Sequence, residues 1–451
     1  MASTYLKRSL GTATSNKKGT WSFWVKKSKN GASMMFFGNE VSNDNNRGYI
    51  QFNSSDKLRI IDNDDGGDNC QMITTQVFRD VNAWYHFVFA FDTTQSTASD
   101  RIKWYVNGEQ ITAFDTASYP AQNIDLKIFE GGQTNKYHIG SLYASGSGSN
   151  FFDGCMSHVH FSDGQQLAPT VFGSTDSTTG EWKINTSPSF TLGNNGFTIL
   201  KDGITITDQS SNSNNFSLGG GTLTKTEDCP SNVFATLNPL ASLPNTGVST
   251  FTNGNTTSQG TNGSYVNGGS TLMMSSGKWY AEMKYVATSS ENRCFVGITK
   301  DVSEISRINQ DSGSNNTFYL SSSGNKNIQG SNTSYGASYT TGDIIGIALD
   351  LDNNRLFFSK NGTWQNSGDP TSSTGAITGF TTPASTVNGG YFFFSGSDSN
   401  AQNNTVSWNF GNGYFGTTAV SSAGTNASGN GIFEYDVPAG YTALSTKGLN
   451  L

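Results

Sequence analysis

The residues with the clearest chemical potential are four aspartates in one short segment: Asp62, Asp64, Asp65 and Asp68. Two glycines separate the last pair, so the backbone can turn and bring its carbonyl oxygens toward the carboxylates. Oxygen donors of this kind suit Ca²⁺, which takes about six to eight of them. The spacing differs from that of an EF-hand loop, and acidic turns are commonly solvated without a metal. The segment is therefore a candidate calcium site, with an ordinary acidic turn as the alternative.

Two histidines, His158 and His160, lie two residues apart in a predicted strand, so their side chains share one face of a sheet. Zinc requires three or four protein ligands, and no third ligand follows at a suitable spacing. The four cysteines are far apart and form no C-x-x-C motif, which disfavours a zinc ribbon or a dense set of disulfides. We therefore interpret the histidines as an ordinary pair on a sheet face and expect thiols that are mostly buried.

The sequence contains no spacing typical of an active site. Glycoside hydrolysis needs two carboxylates that flank the scissile bond, but Glu282 stands alone in its predicted strand, where a single carboxylate is usually at the surface. Neither a G-x-S-x-G elbow nor a G-x-x-x-x-G-K-[ST] loop occurs. A Ser/His/Asp set assembled from distant residues remains open. We predict that the protein is not an enzyme.

Aromatic side chains are the other candidate binding residues of this sequence, because a ring face can stack on the apolar face of a sugar. The chain has 8 Trp, 17 Tyr and 30 Phe, and most of them must form the core. Alternation along predicted strands assigns four tryptophans to that core: Trp21, Trp104, Trp279 and Trp408. Four other aromatic residues lie among Ser, Gly and Asn, and we predict that they project from loops and bind a ligand: Tyr319, Tyr335, Tyr339 and Trp364.

Two segments roughly 250 residues apart share one sequence pattern of strands and turns. The strands of this pattern should position the candidate residues named above. In each of them, residues 84–110 and 342–365, an apolar strand is followed by a polar turn, a second strand and an Asn-Gly pair. Asn107 and Asn361 precede the glycines, and Asn-Gly is the preferred pair for a two-residue type I′ hairpin, in which both residues have positive φ. The repeated hairpin predicts two related β-sandwiches.

Composition supports the same class of fold and excludes several functions. A chain of 451 residues is long enough for roughly two or three domains. The 52 glycines among short aromatic and β-branched runs are typical of an all-β protein with many turns. The net charge is −7 and the basic residues are scattered, so we expect no nucleic acid partner. The sequence shows no signal peptide and no apolar stretch of about 20 residues, so we expect a cytoplasmic origin and no membrane insertion.

The first half of the sequence resembles laminin-G-like, concanavalin A-like lectin domains. The segments WSFWVK, WYHFVFAFD, IKWYVNGEQ and FFDGCMSHVHFSDGQQL look like successive strands of that family and cover residues 20–172. In the family, the last strand has a glycine after an aromatic and acidic pair, which Phe152, Asp153 and Gly154 match. The resemblance also favours calcium, because these domains often hold that ion at the rim of the sandwich.

The second half of the sequence resembles a SPRY domain, which is also a concanavalin-like sandwich. The matching segments are GKWYAEMK, CFVGITK, GDIIGIALDLDNNRLFFSKNG and VSWNFGNGYF, within residues 238–415. We therefore predict two concanavalin A-like antiparallel sandwiches, or jelly rolls. Around them we expect an N-terminal arm at residues 1–19, a short-stranded bridge at 173–237 and a tail at 416–451 that docks by its apolar residues.

This arrangement of units resembles structural proteins of marine tailed phages that infect cyanobacteria and related bacteria. The resemblance implies a virion component, such as a capsid spike, a decoration protein or a tail fibre. The expected partners are other virion proteins and a host surface polysaccharide. The oligomeric state stays open between a monomer and a homo-oligomer such as the trimer that is common for fibres. Two alternatives stay open: a purely structural decoration without a glycan ligand, and a cellular carbohydrate-active enzyme or adhesin.

Overall fold

The computed structural model shows an all-β protein. It describes residues 3–41, 45–65, 67–144, 146–201, 205–241, 249–260, 266–287, 293–301, 316–397 and 404–450. Within these ranges the regular elements are β-strands and short 3₁₀ turns, without an α-helix, and no helix is long and apolar enough to cross a bilayer. The chain forms two compact units, Met1–Lys225 with Cys229–Ser231 and Thr226–Asp228 with Asn232–Leu451. The predicted fold class is confirmed.

The first unit is a sandwich of two antiparallel sheets. Its strands are β1 (Tyr5–Arg8), β2 (Lys18–Lys27), β3 (Met34–Glu40), β4 (Arg47–Phe52), β5 (Lys57–Asp64), β6 (Gly67–Val77), β7 (Tyr85–Asp92), β8 (Ile102–Val106), β9 (Glu109–Ile111), β10 (Phe114–Ser118), β11 (Tyr137–Ile139), β12 (Leu142–Ala144), β13 (Ser147–Ser149), β14 (Gly154–Asp163), β15 (Gly173–Thr175), β16 (Trp182–Ile184), β17 (Phe197–Ile199) and β18 (Ser217–Gly220). The eight-stranded sheet has the order β10-β6-β5-β4-β3-β11-β1-β18, and the six-stranded sheet has the order β17-β14-β2-β7-β8-β9.

Alternating side chains fill the space between these two sheets. Trp21, Phe23 and Val25 of β2 point inward and have no exposed surface. Trp21 stacks on Phe161 with 4.6 Å between ring centroids and donates its Nε1–H to the Tyr137 hydroxyl at 2.8 Å. Complete burial of a large apolar side chain contributes about 2–3 kcal/mol, so the aromatic residues of the central strands are the main source of stability. All four tryptophans assigned to the core are buried, as predicted.

The second unit repeats the two-sheet architecture. Its strands are β19 (Ser249–Thr252), β20 (Thr257–Gly260), β21 (Val266–Gly269), β22 (Lys278–Ala287), β23 (Cys294–Thr299), β24 (Asn316–Leu320), β25 (Asn325–Ile328), β26 (Ser331–Ser334), β27 (Ile344–Asp350), β28 (Arg355–Lys360), β29 (Thr363–Trp364), β30 (Phe392–Ser397), β31 (Thr405–Asn409), β32 (Tyr414–Phe415), β33 (Thr418–Ala419) and β34 (Thr442–Ala443). The larger sheet has the order β19-β20-β31-β22-β27-β28-β29, and β34 joins it by pairing with β22; the other sheet has the order β21-β30-β23-β24-β25-β26.

Short 3₁₀ turns connect some of these strands. They are Ala98–Asp100, Lys127–Phe129, Pro169–Val171, Pro239–Ala241, Gln365–Ser367, Pro383–Ser385 and Gly448–Asn450. The turn at Lys127–Phe129 is the most important one for the candidate site, because Ile128 and Phe129 are anchored in the core and fix the segment around them.

Both sandwiches contain the same asparagine-centred hairpin. The Asn107 N–H donates to the His86 carbonyl at 2.9 Å, and the Asn107 Oδ1 accepts the His86 N–H at 2.8 Å. Asn361 makes the same two bonds with Ile344, each at 2.8 Å. The asparagines have φ of 48° and 49°, and the glycines that follow them also have positive φ. The predicted Asn-Gly turns are therefore confirmed in both units.

The structure corrects the predicted arm and bridge. Residues 1–19 are not a separate arm, because β1 lies between β11 and β18 in the eight-stranded sheet. Residues 173–237 do not form an independent bridge either, since β17 extends the six-stranded sheet and β18 extends the eight-stranded sheet of the first unit. Each of these strands has only three or four residues, which is too short for a recognisable alternation.

The tail, whose docking place the sequence did not indicate, lies on the second unit and is held there by a carboxylate that we expected at the surface. Glu282 of β22 is completely buried, so that expectation is wrong. Its oxygens accept the N–H groups of Glu434 and Tyr435, both at 2.9 Å, and the Tyr280 hydroxyl at 3.1 Å. Burial raises the pKa of Glu282 to about 7, although these hydrogen bonds lower it. Glu282 therefore ties the tail to the outer face of the larger sheet.

Candidate functional site

A polar cleft of about 670 Å³ opens at the rim of the first unit. Residues 11–17, which follow β1, form one wall, and Asp125 with residues 130–132 forms the other. The two walls are joined by their backbones. The Leu126 N–H donates to the Asn16 carbonyl at 2.8 Å, and the Gly132 N–H donates to the Leu10 carbonyl at 3.0 Å. We define this feature as the rim cleft.

A buried aspartate holds the first wall of the rim cleft. The Asp163 carboxylate, at the end of β14, accepts the N–H groups of Thr14 at 2.8 Å and Ser15 at 3.3 Å. It also accepts the Asn195 N–H at 3.0 Å, and only 1% of its surface is exposed. A carboxylate that accepts several backbone N–H groups fixes a loop strongly, because charge-assisted hydrogen bonds are about twice as strong as neutral ones. The loop that forms this wall is therefore fixed before any ligand binds.

A second buried aspartate holds the opposite wall. The Asp62 carboxylate accepts the backbone N–H of Lys127 at 3.1 Å and that of Ile128 at 2.9 Å. The Asn69 side chain donates to the same carboxylate at 2.9 Å. Burial raises the pKa of Asp62 to about 6. Asn39 completes the support by donating to the carbonyl oxygens of Lys127 and Glu130 at 2.7 and 2.8 Å.

The predicted calcium loop is not assembled. The aspartates lie on the β5–β6 hairpin, where Asp62 points into the sandwich while Asp65 and Asp68 are exposed. Asp64 instead pairs with the Lys127 ammonium at 3.3 Å, and the same ammonium bonds Glu130 at 2.9 Å. Among the described residues, which do not include Gly66, no three His, Cys, Asp or Glu side chains are grouped as metal ligands. The cation between the Asp64 and Glu130 carboxylates is therefore the Lys127 ammonium.

The prediction that three tyrosines project from loops is wrong. Tyr319, Tyr335 and Tyr339 are 0%, 6% and 1% exposed and belong to the core of the second unit. The Tyr339 hydroxyl donates to the carbonyl of Tyr319 at 3.0 Å and to that of Cys294 at 3.1 Å. Tyrosine can be buried at little cost when its hydroxyl finds a backbone partner, so polar neighbours in sequence do not indicate exposure.

Trp364 is only half buried, but it does not join the predicted tyrosines in a binding surface. Its ring packs edge-on against Tyr280 and Phe357, with 6.5 Å between ring centroids in each case. These two residues lie on the outer face of the larger sheet of the second unit, in the cluster that the tail covers. The four predicted aromatic residues therefore do not form one ligand site.

The histidine pair belongs to the sheet, as we expected. The His158 and His160 rings lie with centroids 6.3 Å apart at a bulge in β14, and His160 is buried beside Thr198 at 2.9 Å. Burial lowers the pKa of His160 to about 3. The four cysteines, all within the described part of the chain, form no disulfide; Cys70 and Cys294 are buried, and Cys155 and Cys229 are half buried.

Serine and histidine side chains are in hydrogen-bond contact at three places in the described part of the first unit: Ser22–His86, Ser141–His138 and Ser157–His158. His86 Nε2 lies 2.8 Å from the Ser22 hydroxyl, and the Trp182 Nε1–H donates to His86 Nδ1 at 2.9 Å. Because indole can only donate, Nδ1 must be the acceptor, and the ring proton of the neutral imidazole is on Nε2. Burial lowers the pKa of His86 to about 3, so the ring stays neutral. His86 therefore donates to Ser22 and cannot act as the base that activates it.

The rim cleft residues were not singled out from the sequence. Asn16 and Lys17 lie in the segment that was assigned to the arm, while Asp125 and Glu130 are more than 100 positions away. The pair Gly131-Gly132 was the one available signal, since Gly132 has a φ of 96° and a side chain on Gly131 would overlap the backbone of Gly11. A close approach of two loops of this kind cannot be inferred from one sequence.

Two family models match parts of the chain, one in each unit. The sequence model of the concanavalin A-like lectin/glucanases superfamily, laminin G type, matches residues 2–171. The model of the SPRY domain matches residues 278–389. No curated protein matches the sequence significantly.

Several solved structures match parts of the chain at low similarity. The SPRY domain of human HERC1 is 19% identical, with 38% of this chain and 96% of that chain covered and a TM-score of 0.30. A heptameric SAP-like pentraxin from Limulus polyphemus is 15% identical, with 37% and 72% covered and a TM-score of 0.28. A Bacteroides ovatus protein described as carbohydrate-binding is 16% identical, with 50% and 59% covered and a TM-score of 0.33. The chain is an all-β protein whose first unit matches a concanavalin A-like lectin/glucanases model and whose second unit matches a SPRY model over part of its length.

Proposed function

We propose that the protein is a non-enzymatic carbohydrate-binding component of a phage particle and that the rim cleft is its saccharide site. The observation that carries the proposal is the cleft itself. Asp125 and Glu130 offer acceptors to sugar hydroxyls, and Asn16 and Lys17 offer donors. A volume of about 670 Å³ lies within the range of small-ligand sites, which is about 300–1,000 Å³.

The rigidity of the cleft supports a binding role. Asp163 and Asp62 hold the two walls through backbone N–H groups, so binding a saccharide would order few additional groups. Binding to a site that is already ordered costs less entropy than binding to mobile loops. The family match to lectin-type domains agrees with this role. The Ser22–His86 pair has the wrong tautomer for catalysis, and the Ser141–His138 pair is buried, with 0% and 1% of its two residues exposed.

A glycan array with the full chain tests the saccharide role, and one variant tests the site. Asp125 is exposed, so Asp125→Ala removes a ligand acceptor without loss of packing. We expect it to weaken binding of any array hit at least tenfold. The matched control is Asp65→Ala, which removes an equally exposed carboxylate from the β5–β6 hairpin and should leave affinity unchanged. Equal affinity of both variants would exclude the rim cleft.

The virion role rests on the resemblance to marine tailed-phage structural proteins. We propose that the protein assembles with other virion proteins, as a spike, a decoration protein or a trimeric fibre component, and contacts host surface polysaccharide. Mass spectrometry of purified particles should detect the chain, and electron microscopy should place it on the capsid or the tail. Its absence from particles would favour a cellular adhesin. Its presence together with an empty glycan array would favour a purely structural decoration.

A further inference from the structure

A long connection covers part of the outer face of the six-stranded sheet in the first unit. It runs from β14 to β17, which are neighbours in that sheet, so the chain leaves the sheet and returns beside the strand that it left. Both flanks of the connection are anchored. The Leu167 N–H donates to the Thr20 hydroxyl at 2.9 Å, and the Ser162 hydroxyl donates to the Thr191 carbonyl at 2.7 Å. We define the residues between these anchors, 168–190, as the strap.

Few contacts bind the strap to the sheet. Its two strands, β15 and β16, pair only with each other among the described strands. Within the described part of the chain, one hydrogen bond alone joins the strap to residues outside it, from the Trp182 indole N–H to His86 Nδ1 at 2.9 Å. Its backbone hydrogen bonds and its ion pair, between Lys183 and Asp176, are internal. The strap can therefore detach without breaking a backbone hydrogen bond of the sandwich.

Two histidines lie under the strap. His86 of β7 and His160 of β14 follow the alternation of their strands and face outward, away from the aromatic core. Trp182 stacks on His86 with 5.9 Å between ring centroids, and Phe172 stacks on His160 with 5.7 Å. Phe190 packs edge-on against His160 at 5.9 Å. With the strap in place, only 1% of His86 and 2% of His160 is exposed. Every ring contact between the strap and the described part of the sheet thus involves a histidine.

The hydrogen bonds of His86 require a neutral ring. The indole N–H can only donate, so Nδ1 must accept, and the ring proton is on Nε2, toward the Ser22 hydroxyl. A proton added to Nδ1 would point at the indole N–H and break that bond. Burial lowers the pKa of His86 and that of His160 to about 3. A histidine released into water has a pKa of about 6.5, so acid favours the open strap.

The groups around the two rings do not compensate an added proton. The sheet surrounds the rings with uncharged side chains: Ser22, Trp24 and Asn107 at His86, and Thr198 at His160. The charged or titratable groups that act on His160 all lower its pKa: His158, His86 and Lys201. In the strap, the Asp176 carboxylate is already paired with Lys183, and Glu181 is exposed to solvent. Protonation therefore favours release of the strap.

We propose that the strap is an acid-released cover of the first unit, and that protonation of His86 and His160 frees it while the sandwich stays folded. The uncovered sheet face presents the Trp24 ring beside two imidazolium groups. A surface that is closed at neutral pH thus becomes available in acid. The lining of the rim cleft includes no residue of the strap, so this proposal goes beyond the proposed saccharide site and does not depend on it.

Hydrogen exchange of the indole N–H groups tests this proposal, with the full chain labelled with ¹⁵N-tryptophan and rates at pH 7.5 and 5 corrected for intrinsic exchange. Trp182 reports on the strap, and Trp21, which donates to the Tyr137 hydroxyl in the core, reports on the sandwich. We expect Trp182 to be less protected than Trp21 at both pH values. Its protection should fall roughly 30-fold for each histidine between pH 7.5 and 5, which follows from pKa values of about 3 under the strap and 6.5 in water.

Variants that do not titrate identify the groups responsible. Glutamine can accept the Trp182 N–H and donate to Ser22 without binding a proton in this pH range. His86→Gln should therefore lose about 30-fold of the pH effect, and the double variant with His160→Gln should lose nearly all of it. His138→Gln is the matched control, because His138 is also buried but lies on β11 in the eight-stranded sheet. It should keep the wild-type response.

Three results would overturn the proposal. Equal protection of Trp182 and Trp21 at both pH values would show that the strap opens only when the whole sandwich unfolds. Unchanged protection of Trp182 between pH 7.5 and 5 would show that its contacts do not respond to protonation. A full wild-type response in the folded double variant would exclude the two histidines. The first two results come from the wild-type chain, so they do not depend on the folding of any variant.

Discussion

At the scale of single residues, buried carboxylates hold the parts of each unit that lie outside the central strands. Glu282 accepts two backbone N–H groups from the tail, and Asp62 and Asp163 do the same for the walls of the rim cleft. An acidic residue in a strand and an acidic turn both suggested solvent or metal in the sequence. The structure shows that these carboxylates substitute for strand pairing where loops must be fixed.

Glu282 gives the second unit a predictable response to pH. Its pKa rises from 4.5 to about 7 on folding, so its stabilising contribution is fully present below about pH 4.5 and is lost as pH rises through 7. A shift of this size corresponds to roughly 3 kcal/mol. Thermal melting of wild type between pH 5 and 8.5 should show this loss. Glu282→Gln cannot titrate, and its melting temperature should vary less; an identical pH profile would contradict the assignment.

At the scale of elements, the two Asn-Gly hairpins are where sequence and structure agree best. The turn fixes the end of one strand and the start of the next, and in the first unit both its backbone conformation and its packing require glycine at position 108. Gly108 has a φ of 84°, and a Cβ there would overlap the ring of Trp182. Gly31, in the loop between β2 and β3, also has a positive φ, of 72°, but a Cβ there would meet nothing within 4 Å. The two positions therefore separate backbone strain from steric overlap.

This difference predicts unequal effects of alanine. Gly31→Ala should lower the free energy of unfolding by about 1–2 kcal/mol, because a residue with a Cβ is less stable than glycine in a left-handed conformation. Gly108→Ala should cost more, because the Trp182 ring must also leave its position over His86 and lose the bond to Nδ1. Denaturant titration measures both free energies of unfolding, and tryptophan fluorescence of the native state should change only in Gly108→Ala. Equal effects would contradict the packing of Trp182.

The strands that the sequence predicted are those with several alternating apolar residues. TWSFWV and the run from Ile344 to Leu351 are examples, and both lie at the centre of a sheet. The short strands β18 and β34 could not be recognised, because two to four residues do not define a period, and the short strands expected in the bridge gave no indication of the sheet that β17 joins. The rim cleft could not be predicted either, since it depends on a close approach of two distant loops. The buried tyrosines were misplaced because their hydroxyls are paired with backbone groups that only the fold brings near them.

At the scale of the whole molecule, the two units differ in how acid affects them. All 4 histidines of the sequence are in the first unit. Burial lowers the pKa of His86 and His160 to about 3 and that of His138 to about 4, so each is neutral in the folded state. A group with a lowered folded pKa of this kind stabilises the fold above the unfolded pKa of 6.5, and this contribution is lost as pH falls.

Acid should therefore unfold the first unit before the second. At pH 4.5, His86 and His160 should each lower the free energy of unfolding of the first unit by roughly 3 kcal/mol relative to neutral pH. Protonation of Asp62 should offset only part of this loss. Hydrogen exchange of the full chain at pH 7.5 and 4.5, corrected for intrinsic rates, measures the effect. Protection of β7 should fall, while β22 in the second unit serves as the internal control. A parallel loss in both strands would contradict this prediction.

The pairing of β34 with β22 has a consequence for how the protein is made. The ribosome delivers β22 more than 150 residues before β34, so the larger sheet of the second unit waits for its last strand. The sandwich of the first unit, in contrast, has its final strand by residue 220. Domains that emerge first usually fold first, during translation. Nascent chains arrested before residue 443 should therefore present a finished first sandwich beside a second one that still lacks its closing segment.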